Sequence, residues 1–245
     1  MRFEDILSAT RVESELRRSK DSMKSLRHKV RDLAPTLGFA RALASRNCSV
    51  IAEVKTKSPS MGPMPALAQK DAATVHRTYN LHPVVSAISV VTQRTHFGGS
   101  EQIFGLIRRE TRKPILRKDF IEDEYEVYYS RWLGADAILL MTNVVTDPKK
   151  FEALHDLAAS LGMDVLCEVH AEDEIALVPG SAKICGINSR KFKSQRRFLA
   201  SHLIRRFGKD ISTDLAAFDL FGKLPQHCLK IAESGVGSKN IGEIL

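Results

Sequence analysis

The hydrophobic positions of the chain follow two different periods. Before residue 45, apolar residues recur at spacings of three, four and seven among many arginines and lysines, as on one face of a helix. This stripe consists of Leu16, Met23, Leu26, Val30 and Leu33. Pro35 and Gly38 interrupt it, and a short helix is predicted from Phe39 to Leu43. The pattern predicts a helical N-terminal extension over residues 1–47.

After residue 48, short runs rich in Val, Ile, Leu and Ala alternate with amphipathic stretches. Seven strands are predicted, at Val50–Lys55, Val84–Val91, Pro114–Lys118, Ala135–Met141, Asp164–Glu168, Lys183–Asn188 and Leu229–Ser234. The helical patterns are clearest over Asp123–Leu133 and Asp147–Leu161. Pro148 suits the first position of the second helix, and Gly134 and Gly162 are placed to end the two helices.

Strands that alternate with helices form βαβ units in a parallel sheet. Seven strands, with no GxGxxG motif after the first, favour a (β/α)8-type TIM barrel over a dinucleotide-binding fold. The length of 245 residues suits one such domain. We therefore predict an α/β class and a single TIM-barrel domain over residues 1–245, with barrel units one to seven in residues 48–245.

The composition indicates a globular protein of the cytoplasm. Hydrophobic residues make up 43% and charged residues 27% of the chain. The charged N-terminus does not resemble a signal peptide, and the apolar runs are too short to span a bilayer. The four cysteines are widely separated, and their spacing suits neither a zinc site nor a disulfide scaffold. We expect no membrane partner and no metal.

The net charge of +8 bears on partners rather than on the fold. Much of the surplus lies in residues 17–31 and 191–206, and solvated helix faces are the favoured interpretation of both clusters. Nucleic acid and a small anionic metabolite are the candidate partners. No aromatic residues interleave the first cluster, as a single-strand binder would need. We therefore expect nucleic-acid affinity no tighter than the non-specific range of about 10⁻⁴–10⁻⁶ M in an anisotropy titration at physiological salt.

Polar residues end nearly every predicted strand. Glu53 and Lys55 close the first, followed along the chain by Lys118, Glu168, Asn188 with Arg190, and Glu233 with Ser234 and Gly235. In a (β/α) barrel the chemistry lies at these carboxyl ends. A single charge there is usually a solvated edge, but several together predict an acid–base site for an anionic ligand.

Three further patterns concern the rim of this site. The alternation of strand residues predicts that Glu53 and Lys55 point into the barrel, while Ala52 and Val54 point towards the helices. Ser234 and Gly235, with Gly237 after them, form a plausible phosphate-binding turn, although a simple glycine turn is an equal reading of these residues alone. The long basic segment Ser189–His227, with a possible helix near Phe198–Phe207, is interpreted as an elaborated loop at or beside the catalytic face.

Six motifs in order resemble the indole-3-glycerol-phosphate synthase family. They are IAEVKTKSPS at Ile51–Ser60, PILRKDFIEDEYEVYYSR at Pro114–Arg131, GADAILL at Gly134–Leu140, LGMDVLCEVH at Leu161–His170, GINSR at Gly186–Arg190 and IAESGV at Ile231–Val236. The helical N-terminus also resembles an extra segment of that family, which covers part of the substrate site. The resemblance implies a carboxy-lyase of tryptophan biosynthesis that closes an indole ring with loss of CO₂ and water. It implies a phosphorylated anthranilate-ribulose substrate and no cofactor.

The resemblance also implies roles for particular residues. Lys118 would be the general acid on the C2′ carbonyl, and Glu168 would transfer protons or stabilise charge. Glu53 and Lys55 would assist the dehydration. The remaining residues would contact substrate: Asn188 and Arg190 to position it, Glu233 to line the site, Ser234 and Gly235 to hold the phosphate with Lys55 nearby, Phe97 and Phe120 beside the aromatic ring, and Ser58 from the loop after the first strand.

Three departures from the family pattern stand out. Met61 replaces a common lysine, and Lys191-Phe192 replaces a common Asp-Leu. The family continues after the position of Leu245 with an eighth β/α unit. Without that unit, the chain is expected to bind substrate weakly, to unfold easily and to associate through an open barrel edge.

Three alternatives stay open at this point. A sugar-phosphate isomerase of the same pathway would need a Cys–Asp pair at the mouth, which the strand ends lack. A truncated, weakly active or non-catalytic phosphate-binding barrel would lose turnover but keep anion binding. Nucleic-acid binding would give affinity that falls steeply with salt. The combination of Glu53, Lys55, Lys118 and Glu168 favours the enzyme.

Overall fold

The structure, a computed structural model, describes residues 3–58, 62–64, 72–192, 211–237 and 239–244. Its strands are β1 (Val50–Val54), β2 (Lys57–Ser58), β3 (Gly62–Pro63), β4 (Val85–Val91), β5 (Ile115–Lys118), β6 (Ala137–Met141), β7 (Asp164–Val169), β8 (Ile184–Asn188), β9 (Arg190–Phe192), β10 (Ile211–Thr213) and β11 (Leu229–Glu233). Its helices are α1 (Phe3–Lys20), α2 (Met23–Lys29), α3 (Phe39–Ala44), α4 (Ala72–Leu81), α5 (Arg94–Phe97), α6 (Glu101–Glu110), α7 (Glu124–Leu133), α8 (Pro148–Ser160) and α9 (Ile241–Ile244), with 3₁₀ helices at Glu172–Leu177 and Leu215–Lys223. None of the described helices is long and apolar enough to cross a membrane.

The central sheet has seven parallel strands in the order β1-β4-β5-β6-β7-β8-β11. The α/β class and the barrel-type parallel sheet predicted from the sequence are therefore confirmed. All seven predicted strands are present, and their ends differ from the prediction by at most two residues. Lys55 and Ser234 lie one residue beyond the strands to which they were assigned. Within the described residues, β1 and β11 are the two edges of the sheet.

The two faces of the sheet bury different hydrophobic clusters. The outer cluster packs the sheet against the helices and includes Val54, Ile88, Phe104, Ile138 and Phe151. The inner cluster fills the space enclosed by the curled sheet and includes Ala87, Leu116, Leu139, Leu166 and Ile184. Side chains alternate along a strand, so a polar strand-end residue two positions after an inner residue points to the same inner side. These polar side chains therefore lie at the carboxyl-terminal mouth of the sheet.

Helix ends follow their local chemistry. Asp147 caps α8 by accepting hydrogen bonds from the backbone N–H groups of Lys149 and Lys150, and Pro148 occupies the first turn. Gly134 ends α7 with φ of 89°, a left-handed conformation that glycine adopts without strain. The predicted start of α8 and the predicted end of α7 are therefore confirmed.

The N-terminal extension packs on both ends of the barrel. Phe39 and Leu43 of α3 join the inner cluster on the side where the strands begin, since the N–H of Ala40 donates to Asp164 at the start of β7. Ile6 and Leu7 of α1 join the same cluster on the opposite side, near Phe120. The extension therefore contacts the mouth through α1.

The predicted apolar stripe of the extension is wrong for α1. Leu16 is 58% exposed, whereas the buried residues of α1 are Ile6, Leu7, Thr10, Ser14 and Arg17. The helix also ends at Lys20, and α2 begins at Met23. The sequence pattern failed here because α1 packs partly through polar groups, which a count of apolar positions does not detect.

The first basic cluster is partly packed and partly solvated. Arg17 is buried and Arg18 is half-buried, whereas its other basic residues are exposed as predicted: Lys20, Lys24, Arg27, Lys29 and Arg31. The guanidinium of Arg18 lies 4.3 Å from the ring centroid of Tyr125, and the ammonium of Lys29 lies 4.8 Å from that of Trp132. Arg17 is buried, with its guanidinium 5.3 Å from the ring of Tyr129. Cation–π contacts with α7 therefore hold the basic residues of α1 and α2 against the barrel.

The segment 189–227 carries structure beside the mouth. Strands β9 and β10 form an antiparallel pair directly after β8, and the 3₁₀ helix Leu215–Lys223 follows. The described part therefore confirms an elaborated loop on the catalytic face. The helix expected near Phe198–Phe207, and Met61, lie outside the described residues.

Candidate active site

Lys118 is the centre of the mouth of the barrel. Its ammonium lies 2.5 Å from Oε2 of Glu233, 3.5 Å from Oε2 of Glu168 and 4.0 Å from Oε2 of Glu53. These carboxylates come from β11, β7 and β1, and so from strands distributed around the sheet. Glu53 also forms an ion pair with Lys55. The structure thus brings together five of the six charged residues that the strand ends predicted for the acid–base site.

The predicted register of β1 is confirmed. Glu53 faces the inner charges, whereas Val54 is 1% exposed and lies in the outer cluster with the helices. Glu53 pairs with Ser89 of β4 across the sheet. A shift of one residue would exchange these two faces, so the register itself places the carboxylate in the mouth.

The charges and the burial of the mouth shift the pKa values of its ionisable groups in different directions. Burial, followed by the carboxylate of Glu168, raises the pKa of Glu233 to about 8. Burial also acts to raise the pKa of Glu168, but Lys118 and His170 reverse this and hold it well below its usual range. Burial would lower the pKa of Lys118, yet the three carboxylates raise it above its ordinary value. The site thus holds an ammonium, an ionised carboxylate and a carboxyl that exchanges its proton near neutral pH.

The amide and guanidinium predicted after β8 also lie at this mouth. Asn188 is 9% exposed and its Oδ1 accepts a hydrogen bond of 3.0 Å from the backbone N–H of Arg190. Burial acts to raise the pKa of Glu53, but Lys118 and Lys55 lower it. The charge of Arg190 adds to this lowering. Arg190 therefore belongs to the charged cluster through its charge, and Asn188 belongs to it through its position beside Arg190.

An aromatic wall lies beside the mouth. Phe120 follows β5 and its ring centroid lies 6.0 Å from that of Phe97 and 5.9 Å from that of Phe3. The sequence motifs indicated Phe97 and Phe120. They did not indicate Phe3, which comes from α1 and reaches the wall only through tertiary packing.

The turn after β11 adopts an unusual backbone conformation. Ser234 has φ of 65° and Gly235 has φ of 69°, so two successive residues are left-handed. A left-handed serine is strained relative to glycine, and such strain is commonly found at ligand sites. Ser189 supports the turn, because its Oγ donates to the carbonyl oxygen of Ser234 at 2.9 Å. Ser58 is 2% exposed and pairs with Gly62 in the short β2–β3 hairpin beyond β1.

Sequence reasoning missed a buried polar network directly behind Lys118. Arg117 is fully buried, and its Nη2 lies 2.8 Å from Glu126 and 2.9 Å from Asp119. Glu126 also accepts hydrogen bonds from Ser14 and Arg17 of α1. Alternation along β5 would have shown that Arg117 faces the helices, and that a buried arginine there needs carboxylate partners.

Gly186 of β8 leaves room for the side chain of Glu233. A Cβ at Gly186 would overlap Oε1 of Glu233 and would lie 3.1 Å from Cδ1 of Leu166. We expect Gly186→Ala to move the Glu233 carboxylate away from Lys118 and to lower kcat about tenfold, the usual scale for a hydrogen bond to a charged group. Gly180→Ala is the control, because no heavy atom lies within 4 Å of its Cβ. Equal kcat values for both variants in a ring-closure assay would contradict this role.

A parallel (β/α) barrel-type sheet with paired acids and bases at the carboxyl ends of its strands defines a metabolic enzyme of the TIM-barrel class. The family model for indole-3-glycerol phosphate synthase matches residues 3–243. The chain belongs to the indole-3-glycerol phosphate synthase family, whose members are carboxy-lyases of tryptophan biosynthesis.

Individual relatives agree with this family. The indole-3-glycerol phosphate synthase of Bacteroides thetaiotaomicron is 31% identical, over 97% of this chain and 84% of the relative. That of Paenarthrobacter aurescens is 34% identical, over 96% of this chain and 81% of the relative. That of Lachnospira eligens is 43% identical over a shorter stretch, 64% of this chain and 57% of the relative.

Proposed function

We propose that the charged mouth performs the reaction of the family on 1-(2-carboxyphenylamino)-1-deoxyribulose 5-phosphate. The reaction closes the indole ring, releases CO₂ and water, and gives indole-3-glycerol phosphate. The single observation that supports it best is the convergence of Glu53, Glu168 and Glu233 on Lys118. A ring closure followed by a dehydration needs proton donors and acceptors side by side, and this cluster provides both.

Lys118 has the role of general acid in the first step. As the aromatic carbon attacks C2′, the carbonyl oxygen takes a proton from the ammonium and becomes a hydroxyl. The carboxylate then leaves as CO₂, and its bonding electrons restore the aromatic ring. Glu168, held ionised beside Lys118, stabilises the positive charge that develops on the anthranilate nitrogen or accepts a proton.

The dehydration uses the charged pair at the end of β1. The C2′ hydroxyl leaves as water after it is protonated, and a base removes the proton that completes the indole double bond. Glu53 and Lys55 are the proposed pair for this step, because their side chains are directly paired at the end of β1. Asn188 and Arg190 position the substrate from the end of β8, and Glu233, the register partner of Asn188 on the neighbouring strand β11, lines the site beside them.

The two ends of the substrate require different surfaces. The aromatic ring would lie against Phe97 and Phe120, whose centroids are 6.0 Å apart. The phosphate would lie at the left-handed turn of Ser234 and Gly235, with Lys55 nearby, and Ser58 would contact the substrate from the β2–β3 hairpin. Backbone N–H groups at such turns bind phosphate oxygens well. The partner is therefore a small phosphorylated metabolite in the cytoplasm, rather than nucleic acid or membrane.

A direct assay tests the proposal. The 245-residue chain should convert the substrate to a product with indole fluorescence. The alternative is a non-catalytic phosphate-binding barrel, which would bind indole-3-glycerol phosphate in a calorimetric titration and show no turnover. Binding without turnover would reject the proposed reaction, and the absence of both would reject the proposed site.

The edges of the sheet support a further expectation about partners. Within the described residues, β1 and β11 each lack a second neighbouring strand. Unpaired strand edges favour association with other strands. We expect the chain to form concentration-dependent oligomers in light scattering. A monomer at all concentrations would contradict this expectation.

A further inference from the structure

His170 lies directly behind Glu168, on the side away from Lys118. Its Nε2 is 3.2 Å from Oε1 of Glu168, whereas Oε2 of the same carboxylate faces the ammonium of Lys118 at 3.5 Å. Glu168 is fully buried and the His170 side chain is only 11% exposed. The two oxygens of Glu168 therefore have separate partners, one in the mouth and one behind it.

Glu174 and Thr142 hold His170 in turn. The Glu174 carboxylate accepts a hydrogen bond of 2.8 Å from the backbone N–H of His170 and one of 2.7 Å from Oγ1 of Thr142. It also lies 3.8 Å from Nδ1 of the imidazole. Thr142 is fully buried at the end of β6, and its N–H donates to the carbonyl oxygen of Glu168. The chain Glu168–His170–Glu174 is therefore anchored to two neighbouring strands.

We propose that His170 is a positioning residue, which fixes the Glu168 carboxylate towards Lys118 and is itself oriented by Glu174. This inference rests on the proposed ring-closure function. A protonated imidazole can direct its Nε2–H to Glu168 at 3.2 Å, while its charge is attracted by Glu174 at 3.8 Å, so it can fix both the orientation and the charge of Glu168.

The charges around His170 favour its protonated form. It faces Glu168 on β7, Glu174 on the 3₁₀ helix and Glu233 on β11, while Lys118 on β5 faces the far oxygen of Glu168. Burial would lower the pKa of His170, but these carboxylates raise it above its ordinary value. A protonated His170 adds a positive charge to a mouth in which three carboxylates meet two lysines.

The test compares variants that separate positioning from folding. His170→Phe removes both ring nitrogens, and we expect kcat to fall about 10- to 100-fold with little change in KM. His170→Gln retains one N–H donor near the position of Nε2 and should recover most of this loss. His155→Phe is the matched control, because His155 is also buried beside a carboxylate, that of Asp156, but lies on α8.

The pH profile distinguishes this role from a structural one. Glu168 loses a partner of its charged form in His170→Phe, so its pKa should rise and the acid limb of kcat should move up by about one pH unit, tenfold in proton affinity. His155→Phe should leave that limb in place. A kcat within about twofold of the wild type, with an unmoved acid limb, would overturn the proposal.

A measurement without substrate keeps this inference separate from the proposed reaction. In a ¹⁵N NMR titration, the His170 ring should stay protonated above the ordinary histidine pKa of about 6.5. Glu174→Gln should lower this pKa. An ordinary titration of His170 in the wild type would reject its charged contact with Glu168. A wild type with no ring-closure activity but a raised His170 pKa would instead reject the proposed function.

Discussion

Replacing Lys118 by methionine should lower kcat for ring closure by at least about 10²–10⁴-fold, the contribution of one positioned proton transfer. Methionine has a similar length but no proton to donate. It also leaves Glu53, Glu168 and Glu233 together without the ammonium that they share. Their pKa values should therefore rise, since nearby like charges favour protonation. Fluorescence of the indole product measures the loss.

Lys113→Met is the matched control for this experiment. Lys113 lies just before β5, at the opposite end of that strand from Lys118, and its ammonium donates to the carbonyl oxygens of Tyr79, His82 and Val85. The control makes the same chemical change near the same strand but outside the mouth. We expect it to affect stability more than kcat. If Lys118→Met retained near-wild-type activity with an intact fold, Lys118 would not be the general acid.

The barrel mouth could be predicted because strand alternation and strand ends are visible in the sequence. Lys118, Glu168 and Glu233 each end a short apolar run, and the carboxyl ends of parallel strands meet at one edge. The pairing of Glu233 with Lys118 at 2.5 Å could not be predicted, because it depends on the curl of the sheet and on the space left by Gly186. The roles of these residues in the reaction, and a single domain over residues 1–245, stay predictions.

The buried face of α1 shows where pattern reasoning fails. An apolar stripe marks a helix face that packs against hydrophobic partners, and Leu26 of α2 follows that rule. Arg17 and Ser14 of α1 instead pack against the carboxylate of Glu126, 109 and 112 residues further along the chain. Only the folded structure brings these partners together, so no local period in the sequence reveals them.

The second large effect concerns the network behind the site. We expect Arg117→Met to lower the free energy of unfolding by about 3–5 kcal/mol, the usual result of removing one partner from a buried ion pair. Arg117 is fully buried, and its loss leaves the carboxylates of Asp119 and Glu126 in the protein interior, with side-chain exposures of 1% and 4%. Glu126 would keep Arg17, and among the described residues Asp119 would keep hydrogen bonds from the hydroxyl of Thr92 and the N–H of Phe120. Urea denaturation gives the change from a shifted midpoint at constant slope.

Arg11→Met is the control, because Arg11 also joins α1 to the barrel through a carboxylate, that of Glu122, but is 57% exposed. Exposed pairs contribute about 0–1 kcal/mol, so the two variants should differ severalfold in their effect on stability. If Arg117→Met does not fold, Arg117→Lys retains the charge and should give an intermediate loss.

The dependence of this loss on pH tests its electrostatic cause. Burial acts to raise the pKa of Glu126, but Arg117 and Arg17 hold it below its usual range. A carboxylate with a lowered folded pKa stabilises the protein above its unfolded pKa of about 4.3, and that contribution disappears as the pH falls through the folded pKa. In Arg117→Met the carboxyl of Glu126 can take up a proton at higher pH and so avoid part of the cost of an incompletely paired charge. The difference between wild type and variant should therefore be largest near neutral pH and should shrink towards pH 4. A difference that is constant over this range would show that Arg117 stabilises the barrel by packing alone, and that the charges behind Lys118 contribute little to the fold.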